Sequence, residues 1–129
     1  IAACFAWAGD VVQLNRDNPA VKFFIPDTGA VLLEDVMMIP TDAPNKEGAE
    51  KLINFYFEPE IAAQVASYVN ALCPVEGAQE AMKDVDPKLV DNELIFPDEE
   101  SRQKLHGYMP LSADQAQKYQ SEFDRVIGL

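Results

Sequence analysis

Residues able to hold a cationic ligand occur together at one turn of this sequence. Trp7 and Asp10 lie in the segment WAGD, directly after the apolar residues 1–6. An indole face attracts an ammonium group or packs on a methylene chain, while a carboxylate accepts charged hydrogen bonds. The alternative is that Trp7 belongs to the core and that Asp10 only caps a helix over residues 11–18. The residues alone leave both interpretations open.

A second pair of acidic residues interrupts the apolar run over residues 31–39. Glu34 and Asp35 lie inside VLLEDVMMI, where a buried carboxylate is costly unless something pairs with it. Successive side chains of a strand face opposite sides, so only one of the two can face a cleft. The alternative is a crossover between two strands with both acids in solvent.

Other candidate chemistry is weaker. Asp27-Thr28-Gly29 matches the active-site tripeptide of aspartic proteases, but those enzymes need an all-β fold, so a simple turn is favoured. His106, the single histidine, precedes Gly107 at a predicted helix end and has no partner at metal-ligand spacing. We therefore predict no catalytic residues, no metal site and no cofactor.

Strands and helices that alternate along the chain must position these residues, which predicts the α/β class. Apolar runs predict strands over residues 1–7, 21–26 and 31–39, the first of them buried on both faces. Cys4 and Cys73 lie in apolar surroundings and are predicted to be buried thiols. A disulfide between them stays open as the alternative.

Helix signals are strongest in the second half of the sequence. Asn45 is the predicted cap of one helix, Glu58-Pro59 opens the next, and Ser112 with Gln115 begins a final helix over residues 113–127 that Gly128 closes. Residues expected on the buried faces of the first two are Ala49, Leu52, Ile53, Tyr56, Ile61, Val65 and Val69.

The charge of the chain restricts its partners. The sequence holds 22 acidic and 10 basic residues, a formal charge of −12. A field of that sign repels nucleic-acid phosphate and attracts cations, so no nucleic-acid partner is predicted.

Several segments together resemble a known family. They are residues 4–14 (CFAWAGDVVQL), 23–40 (FFIPDTGAVLLEDVMMIP), 46–61 (KEGAEKLINFYFEPEI) and the tripeptide Phe96-Pro97-Asp98. Their order and spacing resemble the bacterial periplasmic spermidine/putrescine-binding proteins, the polyamine receptors of ABC transporters. The resemblance implies a two-lobe, type II periplasmic-binding-protein-like fold of which only the C-terminal portion is present. It further implies that residues 1–34 belong to the second lobe, 35–83 to the first and 84–129 to the second again.

The same resemblance assigns ligand contacts to individual residues. Trp7 matches a tryptophan that packs on the polyamine, Asp10 an aspartate that grips an amine, and Asp35 an aspartate that binds an ammonium group. Leu33 stands where family members carry an aromatic wall, and Tyr108 falls near a late glutamine contact. Glu34 is accordingly expected to face outward.

The function implied is capture of a polyamine in the periplasm, or at the extracytoplasmic membrane surface, and its delivery to the membrane permease of an ABC transporter. No enzymatic activity is expected. Two alternatives are a same-fold receptor for another organic cation or a metal ion, and an aspartic-type hydrolase that uses Asp27. Open strand edges at residues 1–7 would also favour self-association of the isolated chain.

Overall fold

Helices make up most of the regular structure. The computed structural model describes residues 2–128. Its elements, in chain order, are α1 (Ala8–Asp17), β1 (Ala30–Val31), α2 (Lys46–Tyr56), α3 (Pro59–Val69), α4 (Ala78–Val85), a 3₁₀ turn (Pro87–Leu89), α5 (Glu99–Gln103), β2 (Leu105–His106) and α6 (Ala113–Ile127). None of the helices within residues 2–128 is long and apolar enough to cross a membrane.

The core forms where α4 packs on a face of α3 made of small side chains. Ala62, Ala63 and Ala66 are buried on α3, and Met82 of α4 is completely buried. Val12 of α1 and the residues Leu89 and Ile95, which follow α4, complete the same cluster. Alanine lets the two helix backbones approach closely, and the long flexible methionine side chain fills the remaining space.

The buried face of α3 is therefore not the predicted one: it consists of Ala62, Ala63 and Ala66. Ile61 and Val65 are only half-buried, and Val69 is exposed. The largest apolar side chains flank the contact, because α4 comes closest where the side chains are smallest.

Helix α2 has the predicted start but not the predicted buried face. Asn45 caps it, since its side chain accepts a hydrogen bond from the Gly48 N–H at 2.9 Å. No residue of α2 is buried, and Leu52 and Tyr56 are exposed. Local capping chemistry is enough to start this helix, although its apolar side is only partly covered.

The start of α3 and both ends of α6 confirm the sequence predictions. Pro59 occupies the first turn of α3. Ser112 and Gln115 form a complete capping box, and Gly128 closes α6 in the left-handed region with φ 83°. These signals depend only on neighbouring residues, which is why the sequence reveals them.

The predicted strands are mostly wrong. Residues 2–7 and 21–26 contain no strand, and of residues 31–39 only Val31 belongs to one. The described sheet is a parallel pair, with Ala30 opposite Leu105 and Val31 opposite His106. His106 thus lies in a strand and not at a helix end. A strand needs a neighbour's backbone, and this part of the chain supplies only one such pairing.

The predicted burial of residues 1–7 also fails over its described part. Phe5 is fully exposed, and so is Cys4. Cys73 is half-buried, and neither cysteine is in a disulfide. The buried-thiol prediction is wrong for Cys4 because nothing covers the extended segment that carries it.

Helix α5 begins at a carboxylate cap that also leads into β2. The Asp98 side chain accepts a hydrogen bond from the Ser101 N–H at 2.8 Å. Hydrogen bonds from the backbone and side chain of Ser101 hold the pKa of Asp98 below its ordinary value. Only Lys104 separates α5 from β2, so the cap also supports the start of the strand.

The α3–α4 contact predicts a large cost for truncating its central side chain. Met82→Ala should lower the free energy of unfolding of the intact protein by about 2–5 kcal/mol, the range for deleting a buried methionine. Urea unfolding measures it. Met38, 83% exposed, provides the matched control, and Met38→Ala should change stability by less than about 0.5 kcal/mol. Equal effects of the two substitutions would contradict this core.

Acid should loosen α5 through Asp98. A lowered carboxyl pKa means that the cap contributes fully above the ordinary carboxyl range and is lost as the pH falls through the lowered pKa. Hydrogen-exchange protection of the Ser101 amide should therefore fall in acid. Asp98→Asn keeps an acceptor but cannot titrate, so its protection should stay nearly constant. The same acid loss in both proteins would assign the effect to another group.

Candidate functional site

Two predicted site residues, Leu33 and Tyr108, lie just beyond the same end of the parallel strand pair. The Ala30 N–H donates to the Lys104 carbonyl and the Leu32 N–H to the His106 carbonyl, both at 2.9 Å. Leu33 and Tyr108 each follow the last paired residue of their strand by two positions. Their side chains are 50% and 75% exposed. Carboxyl ends of parallel strands are where α/β proteins commonly bind ligands.

A glycine turn fixes the register of that pair. Gly29 has φ +91°, and a Cβ there would lie 2.6 Å from the Lys104 carbonyl oxygen and 2.7 Å from the His106 ring. The Gly29 N–H donates to the Pro26 carbonyl at 2.9 Å, which closes a turn over Asp27-Thr28 and confirms that predicted turn. The hydrolase alternative placed Asp27 in an all-β fold, whereas helices predominate here.

Trp7 and Asp10 lie together at the start of α1. Trp7 is the N-cap residue, with extended backbone angles and no side-chain capping bond, and Asp10 lies in the first turn. The prediction that Asp10 caps a helix at residue 11 is wrong, because the helix already begins at Ala8. Trp7 is 59% exposed, so the core interpretation of this residue is also wrong. An acidic residue in the first turn interacts favourably with the helix dipole.

Glu34 and Asp35 are both exposed, which agrees with the alternative that both acids lie in solvent. Residues 32–40 have no regular structure, and Val36, Met37 and Met38 beside the acids are exposed as well. Alternation along a strand therefore does not decide which acid faces a ligand. An exposed carboxylate keeps its hydration and attracts cations without a desolvation cost until another surface covers it.

The five predicted site residues form two separate groups. Leu33 and Tyr108 lie at the strand ends, Asp35 lies in the irregular segment that follows β1, and Trp7 with Asp10 lies at the start of α1. No hydrogen bond or ion pair over residues 2–128 joins the two groups. The ion pairs seen in that range join residues three or four apart along helices, so none of them occupies Asp10 or Asp35.

The basic residue before β2 is already engaged. Lys104 Nζ lies 3.0 Å from Glu100 Oε1, and this hydrogen bond raises the pKa of Lys104 above its ordinary value. The ammonium group of Lys104 is thus paired with a carboxylate of α5. Over the described residues, no group of three or more His, Cys, Asp or Glu side chains could hold a metal ion.

A buried asparagine at the end of α3 connects α1 to the core. Asn70 ends α3 with φ 55°, is 2% exposed, and is the buried polar residue of the described core. Its Oδ1 accepts a hydrogen bond from Arg16 Nη2 at 3.0 Å. An asparagine directly after an apolar helix is a known signal for a left-handed cap, and this signal could have identified it.

Comparison with known proteins places these groups in a family context. Residues 1–101 match the family described as bacterial extracellular solute-binding protein. The spermidine/putrescine-binding periplasmic protein of Escherichia coli (strain K12) is 30% identical over 95 residues, which cover 74% of this chain and 26% of the relative. No solved structure matches the chain at a significant level.

Two further relatives carry putrescine in their names. The putrescine-binding periplasmic protein SpuD of Pseudomonas aeruginosa (strain UCBPP-PA14) is 31% identical over 119 residues, 88% of this chain and 32% of the relative. The putrescine-binding periplasmic protein PotF of Escherichia coli (strain K12) is 32% identical over 111 residues, 81% of this chain and 29% of the relative. The chain therefore spans about a quarter to a third of the length of these relatives. Because the family match covers most of its residues, the chain belongs to the bacterial extracellular solute-binding protein family.

Proposed function

We propose that this protein captures polyamines, putrescine or spermidine, outside the cytoplasm and delivers them to the membrane permease of an ABC transporter. It acts by binding and needs no cofactor. The observation that carries the proposal is the pairing of an exposed indole with an exposed carboxylate, Trp7 and Asp10, within one helical turn. Membership of a solute-binding family and the polyamine names of three relatives support it.

The chemistry of a polyamine fits this pairing. Each ligand is a flexible chain of methylenes between ammonium groups, so a receptor needs flat apolar faces and carboxylates at matching intervals. Trp7 offers the face, and Asp10 accepts hydrogen bonds from an ammonium. Neither group is engaged elsewhere within the described residues, and the formal charge of −12 raises the local concentration of cations.

The strand ends supply the second part of the proposed site. Asp35 binds another ammonium group, and Leu33 and Tyr108 border the ligand from the paired strands. All three are exposed, so ligand binding must bury them against an opposing surface to exclude water. Such burial strengthens an ion pair only when its hydrogen bonds are complete.

A two-lobe receptor provides that opposing surface. The division of residues 1–34 and 84–129 into the second lobe and 35–83 into the first stays a prediction, and the described core counts against its boundary at 83–84, because α4 spans that boundary and Val12, Met82 and Ile95 pack in one cluster. The pairing of β1 with β2 supports one part of this assignment, because it joins residues 30–31 to residues 105–106. Closure of the two lobes over the ligand would then be the state that the permease reads.

A receptor of the same fold for another organic cation or a metal ion is the second candidate. Leu33 is half-exposed at the strand end and offers no aromatic face, which weakens stacking on a methylene chain. Calorimetric titration of the intact protein with putrescine, spermidine, a monoamine and Mg²⁺ separates these functions. Tight binding of the two polyamines alone supports the proposal, whereas binding of the monoamine or Mg²⁺ alone supports the alternative.

Asp35→Asn should weaken putrescine binding by about 2 kcal/mol or more, a loss of roughly thirtyfold, because the ammonium loses a charged partner that closure buries. Glu34→Gln is the matched control, since it removes the same charge one residue away and should bind nearly as the wild type does. Calorimetry on the intact protein measures both. Equal losses would mean that only the local charge matters and that Asp35 is not a specific contact.

Trp7→Leu should leave folding intact, because the side chain is exposed, but should weaken putrescine binding by about 0.5–2 kcal/mol. The change keeps an apolar side chain and removes the π-face. Tyr119→Leu on α6, at an equally exposed aromatic position, should leave affinity unchanged. Unfolding of the Trp7 variant, or wild-type affinity, would contradict the proposed role.

A further inference from the structure

The start of α1 is held in place by the end of α3. Asn70 lies in the left-handed region with φ 55° and closes α3 through its N–H, which donates to the Ala66 carbonyl at 2.8 Å. A buried asparagine needs partners for both ends of its amide. Its Nδ2 donates to the Tyr68 carbonyl at 3.1 Å, and its Oδ1 accepts from Arg16 Nη2 at 3.0 Å. The amide therefore connects the last turns of both helices.

A second contact joins the first turn of α1 to the same place. A Cβ on Gly9 would lie 3.0 Å from the Asn70 carbonyl oxygen and 3.4 Å from that of Val69. The absence of a side chain lets the backbone of Gly9 lie directly against the end of α3. Gly9 stands between Trp7 and Asp10, so this close approach lies within the turn that carries both residues.

We propose that Asn70, through Arg16 and Gly9, is a positioning residue for Trp7 and Asp10 and thereby sets the affinity for the ligand. This inference rests on the proposed function. Arg16 anchors the last turn of α1, Gly9 anchors its first turn, and Val12 packs into the core between them. Three contacts along one short helix fix its axial position and its rotation, which determine where the indole and the carboxylate point.

The buried amide of Asn70 does more than closing α3 requires. Asparagine tolerates the left-handed conformation, but glycine would adopt it with less strain. Glycine at this position would end α3 equally well and would leave Arg16 without its acceptor. The amide is thus dispensable for closing α3 and needed for holding α1.

The test compares substitutions at both ends of the bond. Asn70→Gly keeps the left-handed backbone and deletes the amide, and Arg16→Met removes the donor to its Oδ1. Arg125→Met on α6 is the control for loss of one positive charge. Putrescine affinity of the intact protein is measured by calorimetry well below each variant's melting temperature, so that every sample is folded.

We expect Asn70→Gly and Arg16→Met each to weaken putrescine binding by about three- to tenfold, the scale of coupling between neighbouring groups. Arg125→Met should bind as the wild type does. In an Asp10→Asn, Trp7→Leu background, Asn70→Gly should have little further effect, because its influence passes through those two side chains. A purely structural role would lower the melting temperature and leave these affinities unchanged.

The outcomes separate this inference from the proposed function. If Asp10→Asn and Trp7→Leu weaken putrescine binding while Asn70→Gly and Arg16→Met bind like Arg125→Met, only the positioning role is overturned. If the wild type does not bind putrescine, the proposed function fails and the positioning role fails with it. If Asn70→Gly does not fold, Arg16→Met decides the question, because Arg16 is exposed and its removal opens no cavity in the core.

Discussion

The close contact between α3 and α4 is the constraint on which the rest of the structure depends. Ala63 and Ala66 are small enough for Met82 to reach the centre of the core, and Val12 and Ile95 pack around the same point. This contact fixes α3, and the end of α3 in turn supports α1. A substitution in the alanine face would therefore act on the proposed ligand site at a distance, through displacement of the helix that carries Trp7.

Local chemistry determines which elements the sequence reveals. The Asn45 cap, Pro59 in the first turn of α3 and the Ser112 capping box were all predictable, because each depends on residues a few positions apart. The strands were not, because an apolar run becomes a strand only when another segment offers its backbone. Residues 2–7 and 21–26 have strand-like composition and find no such partner here.

The candidate site divides in the same way. Residue types alone singled out Trp7 with Asp10, and the pair Glu34 and Asp35, as groups suited to an amine, since indole and carboxylate chemistry does not depend on the fold. The choice of Asp35 within that pair came from the family resemblance. The burial of these residues was not predictable: the core interpretation of Trp7 is wrong, and Glu34 and Asp35 are both exposed although they interrupt an apolar run. Whether a residue is buried depends on the segments that pack over it, which its own type does not reveal. The polar residue that is buried, Asn70, has a side chain that usually lies at the surface.

Charge and geometry must have different roles in a receptor of this kind. A formal charge of −12 attracts every cation, and salt screens exposed charges beyond about 10 Å, so the overall field speeds encounter without choosing a ligand. Selection requires groups held at fixed intervals. In this chain each group of predicted site residues is held partly by a close backbone contact: the Gly29 turn at the strand ends and the Gly9–Asn70 contact at α1, to which Arg16 adds a hydrogen bond. A side chain at Gly9 or Gly29 would prevent these close approaches. The spacing of the proposed binding groups therefore depends on the two glycines as well as on the side chains that contact the ligand.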